Sequence, residues 1–302
     1  MRTFVRITVL LSALVILLGS CTRKQTEKAV VAIPYPEPRP DSVPAAFLPG
    51  IVSTDSLDFN AAFSPDGRSF YFTRKISGKT KIHATHYSEG RWKEPEPVPF
   101  GATGHSDADP VFGPDGRLYF ISDRPRDASD TLTDYDIWYA LLQSDGSWSA
   151  PQNMTAVNSD SAEYYVSFSG IGNLYFASAR QGGYGAEDIY VSRRINDQYG
   201  VPENLGASVN SEKSEYDPCI AAGEDLIVFT SSNRDDGFGA GDLYGAKTDA
   251  SKKWQNAVNL GNRFNTKTRE FCAYFTPDSQ YFFFSSDRDV KWIRMEWLKK
   301  HL

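Results

Sequence analysis

Histidine and cysteine, the residues that most often bind metals or act as catalytic bases and nucleophiles, are scarce in this sequence. The 302 residues include only four histidines and three cysteines. The histidines fall into no HExxH or comparable metal-ligand spacing, and no serine lies in a GxSxG elbow. The two glycine-rich stretches, 181–185 and 236–241, carry no GKS or GKT of a phosphate-binding loop. We therefore predict no metal and no cofactor, and we find no positive indication of an enzyme.

Basic residues are outnumbered by acidic ones. The chain has 32 lysines and arginines against 38 aspartates and glutamates, a formal charge of −6 and a pI near 5.3. Proteins that bind nucleic acid usually present a basic face. The charge balance therefore argues against a nucleic-acid partner.

Long apolar runs are missing except at the start of the chain. Arg2 and Arg6 precede an apolar run over 7–18, which is typical of a signal peptide and too short for an ordinary membrane span. The following Leu-Gly-Ser-Cys, which ends at Cys21, resembles a bacterial lipobox. That resemblance implies that residues 1–20 are removed and that Cys21 carries the lipid. The alternative is an ordinary secretory signal with a chance cysteine.

Residues 21–46 are predicted to be a lipidated, proline-rich tether. A polar stretch is followed by five prolines between positions 34 and 44, which favour an extended polyproline-type conformation. No run of acids follows Cys21, which favours the periplasmic face over the cell surface. We expect a protein of the bacterial cell envelope, anchored by lipid to the outer membrane and facing the periplasm.

The rest of the chain is organised by an internal repeat of about 50 residues, which is typical of propellers and solenoids. Its clearest copy, 107–124, reads DADPVFGPDGRLYFISDR. Related copies begin at Asp58, Glu163, Glu215 and Glu270. In each copy an acid precedes an apolar residue by five positions, and a turn and a strand-forming run follow. Each copy is therefore predicted to be a β-hairpin.

Two more strands are predicted in each repeat. A third strand begins with motifs such as Asp136-Ile137-Trp138. The last, outer strand is predicted in segments such as 148–154, in which an aromatic residue precedes an apolar residue by six positions. The fifth copy reaches Leu302 without an outer strand. Leu48 and its neighbours are predicted to supply it from the N-terminal side, which would close the ring and cover an open edge.

The FSPDG (63–67), FGPDG (112–116) and FTPDS (275–279) turns, together with the SDR ends at 122–124 and 286–288, resemble the PD40 family. These are the WD40-like repeats of TolB-type β-propellers. The resemblance implies an all-β fold and one propeller domain over 47–302. We predict five blades, with six as the alternative. The resemblance is specific for the fold and implies a role as an envelope interaction module only in general terms.

Five recurring acids are the candidate binding residues. If the first strand of each blade lines the central channel, these acids form an acidic collar at one mouth that could hold a cation, an amine or a basic peptide. The alternative is a structural role, in which each acid caps a turn or pairs with a basic residue such as Lys75, Arg124, Arg180, Arg234 or Arg288. Occurrence in every blade favours the structural role. The five acids are Asp58, Asp107, Glu163, Glu215 and Glu270.

Three further features have a structural interpretation that we favour. The acidic loop with Asp127, Asp130, Asp134 and Asp136 does not have the EF-hand spacing, so we interpret it as a solvated loop rather than a calcium site. Cys219 and Cys272 occupy similar repeat positions and could pair, but two buried thiols are the favoured interpretation. His105 is the one weak candidate for a catalytic residue, should the protein be an enzyme.

The sequence thus favours a non-catalytic, lipid-anchored propeller that binds an envelope protein or a cell-wall component. One alternative is a propeller enzyme, a lyase or hydrolase of glycans. Another is a periplasmic sensor of a small ligand in the channel. An open, polar channel mouth would favour a ligand site, whereas aromatic side chains that block it would argue against one.

Overall fold

The protein was analysed as a computed structural model, which describes residues 31–302. Five antiparallel sheets lie around a central channel in this part of the chain, four of them four-stranded and one five-stranded, together with a separate two-stranded sheet. The predicted all-β, five-bladed propeller is therefore confirmed. The predicted lipid site at Cys21 and the predicted signal peptide lie outside the described residues. No helix in residues 31–302 is long and apolar enough to cross a membrane.

The strands follow one another along the chain in blade order. The N-terminal strand is β1 (Ala45–Ala46). Blade one contains β2 (Asp58–Phe63), β3 (Ser69–Ile76), β4 (Lys79–Ser88), β5 (Arg91–Trp92) and β6 (Glu96–Pro97). Blade two contains β7 (Asp107–Phe112), β8 (Arg117–Ser122), β9 (Asp136–Leu141) and β10 (Gln152–Asn153). Blade three contains β11 (Glu163–Phe168), β12 (Leu174–Ser178), β13 (Asp188–Ser192), β14 (Arg194–Ile195), β15 (Gln198–Tyr199) and β16 (Glu203–Asn204).

The last two blades follow the same plan. Blade four contains β17 (Ser214–Ile220), β18 (Leu226–Ser232), β19 (Asp242–Lys247) and β20 (Val258–Asn259). Blade five contains β21 (Phe271–Phe275), β22 (Tyr281–Ser286) and β23 (Asp289–Arg294), and is followed by helix α1 (Met295–Lys299). The first strand of each blade lies innermost, next to the channel, and is called the inner strand below. The outer strands are only two residues long, at the ends of the predicted segments.

The N-terminal strand closes the ring, as the missing fifth outer strand predicted. Strand β1 pairs antiparallel with β23, with Ala45 opposite Trp292, and the Phe47 amide donates to the Val290 carbonyl at 2.8 Å. The paired residues lie just before Leu48 rather than around it. Leu48 has a positive φ of 46° and begins the turn that leads away from the strand.

The segment just before this strand differs from the predicted tether. Ile33 and Tyr35 are buried in the core cluster that joins blades five and one. The indole N–H of Trp92 donates to the Pro34 carbonyl at 3.0 Å, and the Tyr35 hydroxyl donates to Asp278 at 2.9 Å. The predicted propeller boundary at residue 47 is therefore too late, since the chain packs on the propeller from about residue 31. The prolines indicated an extended backbone, but apolar residues between them fix it to the protein surface.

Aromatic side chains fill the junction where the ring closes. Phe47 is fully buried, with its ring 4.7 Å from Phe70, 5.0 Å from Phe283 and 5.4 Å from Trp292, measured between ring centres. Each fully buried side chain of this size contributes about 1.5–3 kcal/mol. A ring from the N-terminal segment thus fills the junction between blades one and five, which also contact each other directly through Phe63, Phe70 and Phe283.

The chain ends in the one short helix of the described residues. Ile293 and Arg294 open a segment rich in helix formers, but both still pair with β22 as part of β23. Helix α1 starts only at Met295 and buries Met295 and Leu298. Tertiary pairing therefore overrides the local helix preference at the first two residues.

Candidate functional site at the channel mouth

A β-bulge in the inner strand of every blade determines which side chains face the channel. The pairing register between the inner and second strands shifts at this point in all five blades. One residue at each bulge has a positive φ, which is uncommon for residues other than glycine. This residue stands two positions after the recurring acid of its blade. From blade one to blade five, the positive-φ residues are Asn60, Asp109, Tyr165, Asp217 and Cys272.

The recurring acids themselves lie in structural contacts and not in the predicted channel-mouth collar. Asp58, Asp107, Glu163, Glu215 and Glu270 are all fully buried. Glu163 shows the pattern, because it accepts hydrogen bonds from the Ser159 amide at 2.9 Å, the Ser178 hydroxyl at 2.8 Å and Arg180 at 3.0 Å. Each acid thus ties the loop before the inner strand to the end of the second strand.

Two of the predicted basic partners are wrong. Asp58 pairs with Arg74 at 2.6 Å, whereas Lys75 is exposed. Successive strand residues point to opposite faces, and Asp58 lies directly opposite Arg74 in the pairing of β2 with β3. Glu270 accepts hydrogen bonds from Thr266 and Ser286, and Arg288 instead contacts the Asp55 carbonyl. The other three acids pair as predicted: Asp107 with Arg124, Glu163 with Arg180, and Glu215 with Arg234.

A cavity of about 740 Å³ opens at the channel mouth where the inner strands begin. Aromatic side chains form its rim in two groups. Tyr135 and Tyr164 lie on one side, with ring centres 5.9 Å apart. Phe59 and Phe271 lie on the other side, 5.5 Å apart. The mouth is therefore open and lined by half-exposed aromatic rings.

Arg269 extends the second aromatic group around the rim. Its guanidinium lies 4.9 Å from the ring centre of Phe271 and 4.8 Å from that of Tyr216. Its Nε also donates to the Tyr216 hydroxyl at 3.2 Å. Stacking on two rings holds this cation at the edge of the cavity, where the residue remains partly exposed.

The floor of the cavity brings together residues from three blades. Asp109 of blade two, Asp217 of blade four and Cys272 of blade five all line it. The Cys272 thiol lies 3.7 Å from the Asp109 carboxyl and 3.5 Å from the Asp217 carboxyl. The Cys272 amide donates a hydrogen bond to the Asp217 carboxyl at 3.0 Å. Nearby, the Tyr165 hydroxyl reaches across the channel from blade three and donates to the Ala273 carbonyl at 2.6 Å.

The two floor carboxyls have an unusual electrostatic environment. Both are buried, and neither forms an ion pair with any lysine, arginine or histidine in residues 31–302. Burial raises the pKa of Asp109 well above its ordinary value, and the neighbouring Asp217 carboxylate raises it further. Burial also raises the pKa of Asp217, against the opposing effect of the Arg269 charge. Carboxyls with raised pKa values in a cleft are typical of functional sites.

Other candidates from the sequence lie outside this cavity. His105 contacts Asp123, with Nδ1 3.3 Å from the carboxylate, and does not line the cavity. In the acidic loop, Arg126 pairs with Asp136 at 2.6 Å and approaches Asp130 and Asp134. An arginine thus occupies the position between these acids that a cation would need. Within residues 31–302, no group of three or more His, Cys, Asp or Glu side chains is arranged to hold a metal ion.

The two cysteines of the propeller are free, as the favoured interpretation predicted. Both thiols are buried. Burial raises the pKa of Cys219 and that of Cys272, and the charges of Asp217 and Asp109 raise the latter further. Both side chains therefore act as small uncharged groups.

A second cavity of about 780 Å³ lies where the inner strands of blades three, four and five end. Phe168, Ile220 and Phe275 line it, together with hairpin-turn residues. The first cavity is the stronger candidate site because its floor residues differ from blade to blade and carry unpaired carboxyls. A binding site usually breaks the symmetry of a repeat in this way.

The sequence contained a signal for this floor that a focus on the recurring acids missed. Two positions after each acid, the repeat reads Asn, Asp, Tyr, Asp and Cys, with no two neighbouring blades alike. Variation at an inward position of an otherwise regular repeat is the pattern that a ligand site would leave. The position could be judged inward only once the bulge was known.

Comparison with known proteins is informative about the fold alone. No protein-family model matches the chain, and no curated protein matches it significantly. Among solved structures, the chain is similar to a TolB-like protein of Agrobacterium tumefaciens, with a TM-score of 0.50 and 18% identity over 80% of this chain and 79% of that one. TolB from Acinetobacter baumannii gives a TM-score of 0.48 at 16% identity, over 78% of this chain and 53% of that one.

A solved enzyme structure is also among those with some similarity to the chain. An α-L-arabinofuranosidase from Podospora anserina, solved with cellotriose, gives a TM-score of 0.48 at 10% identity, over 80% of this chain and 91% of that one. This chain spans only about half of the Acinetobacter TolB chain. What the comparisons establish is that this protein is a five-bladed β-propeller similar in fold to TolB-like proteins.

Proposed function

We propose that this protein is a lipid-anchored envelope propeller that binds an envelope protein or a cell-wall component through its channel mouth without transforming it. The cavity carries the proposal, because it combines an open aromatic rim with a polar floor whose residues differ from blade to blade. Exposed aromatic rings provide large contact areas at low entropic cost and stack on sugars, peptide bonds or cations. Similarity to TolB-like propellers and the lipobox at Cys21 support an outer-membrane anchor facing the periplasm.

Site-specific photocrosslinking tests the proposal. A photoreactive phenylalanine analogue replaces Tyr164 at the rim in the full-length chain, which is expressed in its native host and irradiated in whole cells. The matched control carries the analogue at Val201, which is 86% exposed and does not line the cavity. We expect a specific protein or peptidoglycan adduct from position 164 that is absent from position 201. Equal adducts from both positions, or none from position 164, would contradict binding at the channel mouth.

A glycan-active enzyme is the second candidate, because of one specific observation. Two buried carboxyls with raised pKa values lie at the cavity floor, and a carboxyl that keeps its proton can act as a general acid. Degradation of purified peptidoglycan or plant polysaccharides by the wild-type protein, lost in Asp109→Asn, would favour this alternative. A protein that binds such a polymer without shortening it would support the binding module.

A further inference from the structure

We propose that the channel cavity binds a protonated primary amine, whose ammonium group contacts the carboxyls of Asp109 and Asp217 from the cavity side beneath the aromatic rim. This inference rests on the proposed function, since it names the ligand class for the same site. The class includes a lysine side chain of a protein and a free amino group of a cell-wall peptide.

The first argument is the lack of internal compensation at the floor. Every recurring acid of the blades is satisfied by several hydrogen bonds, and four of the five also pair with arginine. Asp109 and Asp217 are the exceptions among the fully or almost fully buried acids of the inner strands: each is 6% exposed, and that exposed part faces the cavity. The Asp109 carboxyl accepts only a long hydrogen bond from the Cys272 thiol, and Asp217 accepts from the Cys272 amide and thiol with the Arg269 charge nearby. A buried carboxylate without an ion-pair partner is costly, and a ligand cation would supply one.

The second argument is the shape and chemistry of the walls. The aromatic groups Tyr135 with Tyr164, and Phe59 with Phe271, lie above the carboxyls around the opening. Aromatic faces attract ammonium groups and pack against alkyl chains. An alkylammonium chain matches this order, with its methylene groups at the rim and its charge at the floor. A primary amine also supplies N–H donors for two carboxyls at once.

The charged groups around Asp109 set the pH dependence. Asp217 and Cys272 face it from blades four and five, Tyr165 lies nearby in blade three, and Arg269 acts on it from the rim. Lys75 and Glu187 also line the cavity. Without a ligand, burial and the Asp217 charge keep the Asp109 proton in place to higher pH. At any pH where Asp109 still holds this proton, binding of R–NH₃⁺ converts its carboxylic acid to a carboxylate and releases the proton to solvent.

The test uses three probes that each contain a chain of five carbon atoms and differ in the polar end: pentylamine, pentan-1-ol and pentanoate. Dissociation constants are measured on the full chain by ligand-observed NMR, and proton release by calorimetry in buffers of different ionisation enthalpy. For pentylamine we expect a Kd on the order of 1 mM at about pH 8. We expect pentylamine to bind more weakly at about pH 5, because removing the proton from Asp109 costs more free energy at lower pH.

Two variants and a control identify the site. Asp109→Asn and Asp217→Asn should each weaken pentylamine binding about tenfold or more, and Asp109→Asn should abolish proton release. Asparagine preserves the size of the side chain and tolerates the positive φ at both positions. Glu212→Gln, which removes a surface carboxylate that is 84% exposed, should change neither quantity.

Each outcome decides the proposal. Tighter binding of pentylamine than of pentan-1-ol and pentanoate, lost in both asparagine variants, supports it. Equal binding of amine and alcohol, preference for pentanoate, or no saturable amine binding overturns it. If the amine fails while crosslinking from position 164 still yields a specific adduct, the channel mouth binds a different ligand class and only this inference falls. If crosslinking also fails, the proposed function falls with it.

Discussion

At the residue scale, the most informative side chain is Asp109. It occupies a left-handed backbone position that aspartate tolerates better than most residues, and its carboxyl is buried with a thiol as its nearest polar neighbour. Such an arrangement does not favour folding. Buried carboxyls without an ion-pair partner in a cleft are often functional. The ligand proposed for the cavity would supply the partner that Asp109 lacks.

The pH dependence of stability follows from this residue. Its pKa in the folded state is raised above the usual value of 3.8, so the unfolded chain loses its proton first as the pH rises. The unfolded state then binds fewer protons, and the free energy of unfolding falls with rising pH between the two pKa values. This stabilising protonation is complete below the unfolded-state pKa and is lost as the pH passes the folded-state pKa.

Asp109→Asn should therefore stabilise the protein at neutral and higher pH. We expect the free energy of unfolding to increase by about 1–3 kcal/mol at about pH 8, because the variant has no carboxyl to ionise. The difference should disappear toward about pH 4. Urea denaturation across this range measures it, with Glu212→Gln as the surface control, expected to stay within about 0.5 kcal/mol. A destabilised Asp109→Asn at pH 8 would show that the carboxylate is favourable in the folded state.

At the element scale, the repeating unit is a hairpin fastened by one buried acid. Glu163 joins the loop before β11, the inner strand itself and the end of β12 through Ser159, Ser178 and Arg180. The same device recurs in all five blades with small changes of partner. This regularity explains why the acids were visible in the sequence and why they are poor candidates for a specific ligand site.

Glu163→Ala should destabilise the fold rather than remove binding selectively. The substitution leaves Arg180 and two hydroxyls without their buried acceptor, so we expect a loss of about 3–5 kcal/mol in the free energy of unfolding. Glu163→Gln retains an acceptor oxygen and should cost less. Chemical denaturation of the two variants checks the order. A fully stable Glu163→Ala protein that no longer gives the rim crosslink would instead return the acid to the binding site.

The outer strands show how far local pattern carries an element prediction. The segments ending at Val98, Met154, Leu205 and Leu260 were correctly expected to hold the outer strands, because an aromatic and an apolar residue six positions apart are both buried or half-buried. Only two consecutive residues near the end of each segment form the outer strand, and the aromatic residue at its start pairs separately within the same blade. Pairing length depends on how the sheet twists away from its neighbour, which the pattern of one strand does not contain.

At the scale of the whole molecule, stability depends on how the ring is closed. Strand β1 supplies the fourth strand of blade five, and Phe47 fills the space between blades five and one. The outer edge of β23 would otherwise expose unpaired backbone groups. The N-terminal segment therefore acts as part of the propeller from about residue 31 onward.

Phe47→Ala should weaken this closure. Truncation of a fully buried phenylalanine typically costs about 3–5 kcal/mol. We expect that loss in urea denaturation, together with faster hydrogen exchange of the β1 and β23 amides than of those in blade three. Val43→Ala, in the same segment but 70% exposed, is the control and should change stability little. Uniform exchange across all blades in Phe47→Ala would mean that the ring opens only by global unfolding.

The sequence by itself determined the repeat, the hairpin in each copy, the number of blades and the strand borrowed from the N-terminal side. These features depend on local turn chemistry and on the spacing of strand formers, which are written along the chain. The sequence also indicated the structural role of the recurring acids. It did not indicate that Asp58 pairs with Arg74 rather than Lys75, because that choice depends on strand register.

Only the tertiary structure decided where the candidate site lies. Asp109, Asp217 and Cys272 are 55 to 163 positions apart along the chain and meet only because the ring is closed. Their inward direction depends on a bulge and a positive φ in each inner strand, which the sequence of these copies does not mark with glycine. A ligand site made by convergence of distant strands is a property of the closed ring, whereas each blade is a property of its own segment.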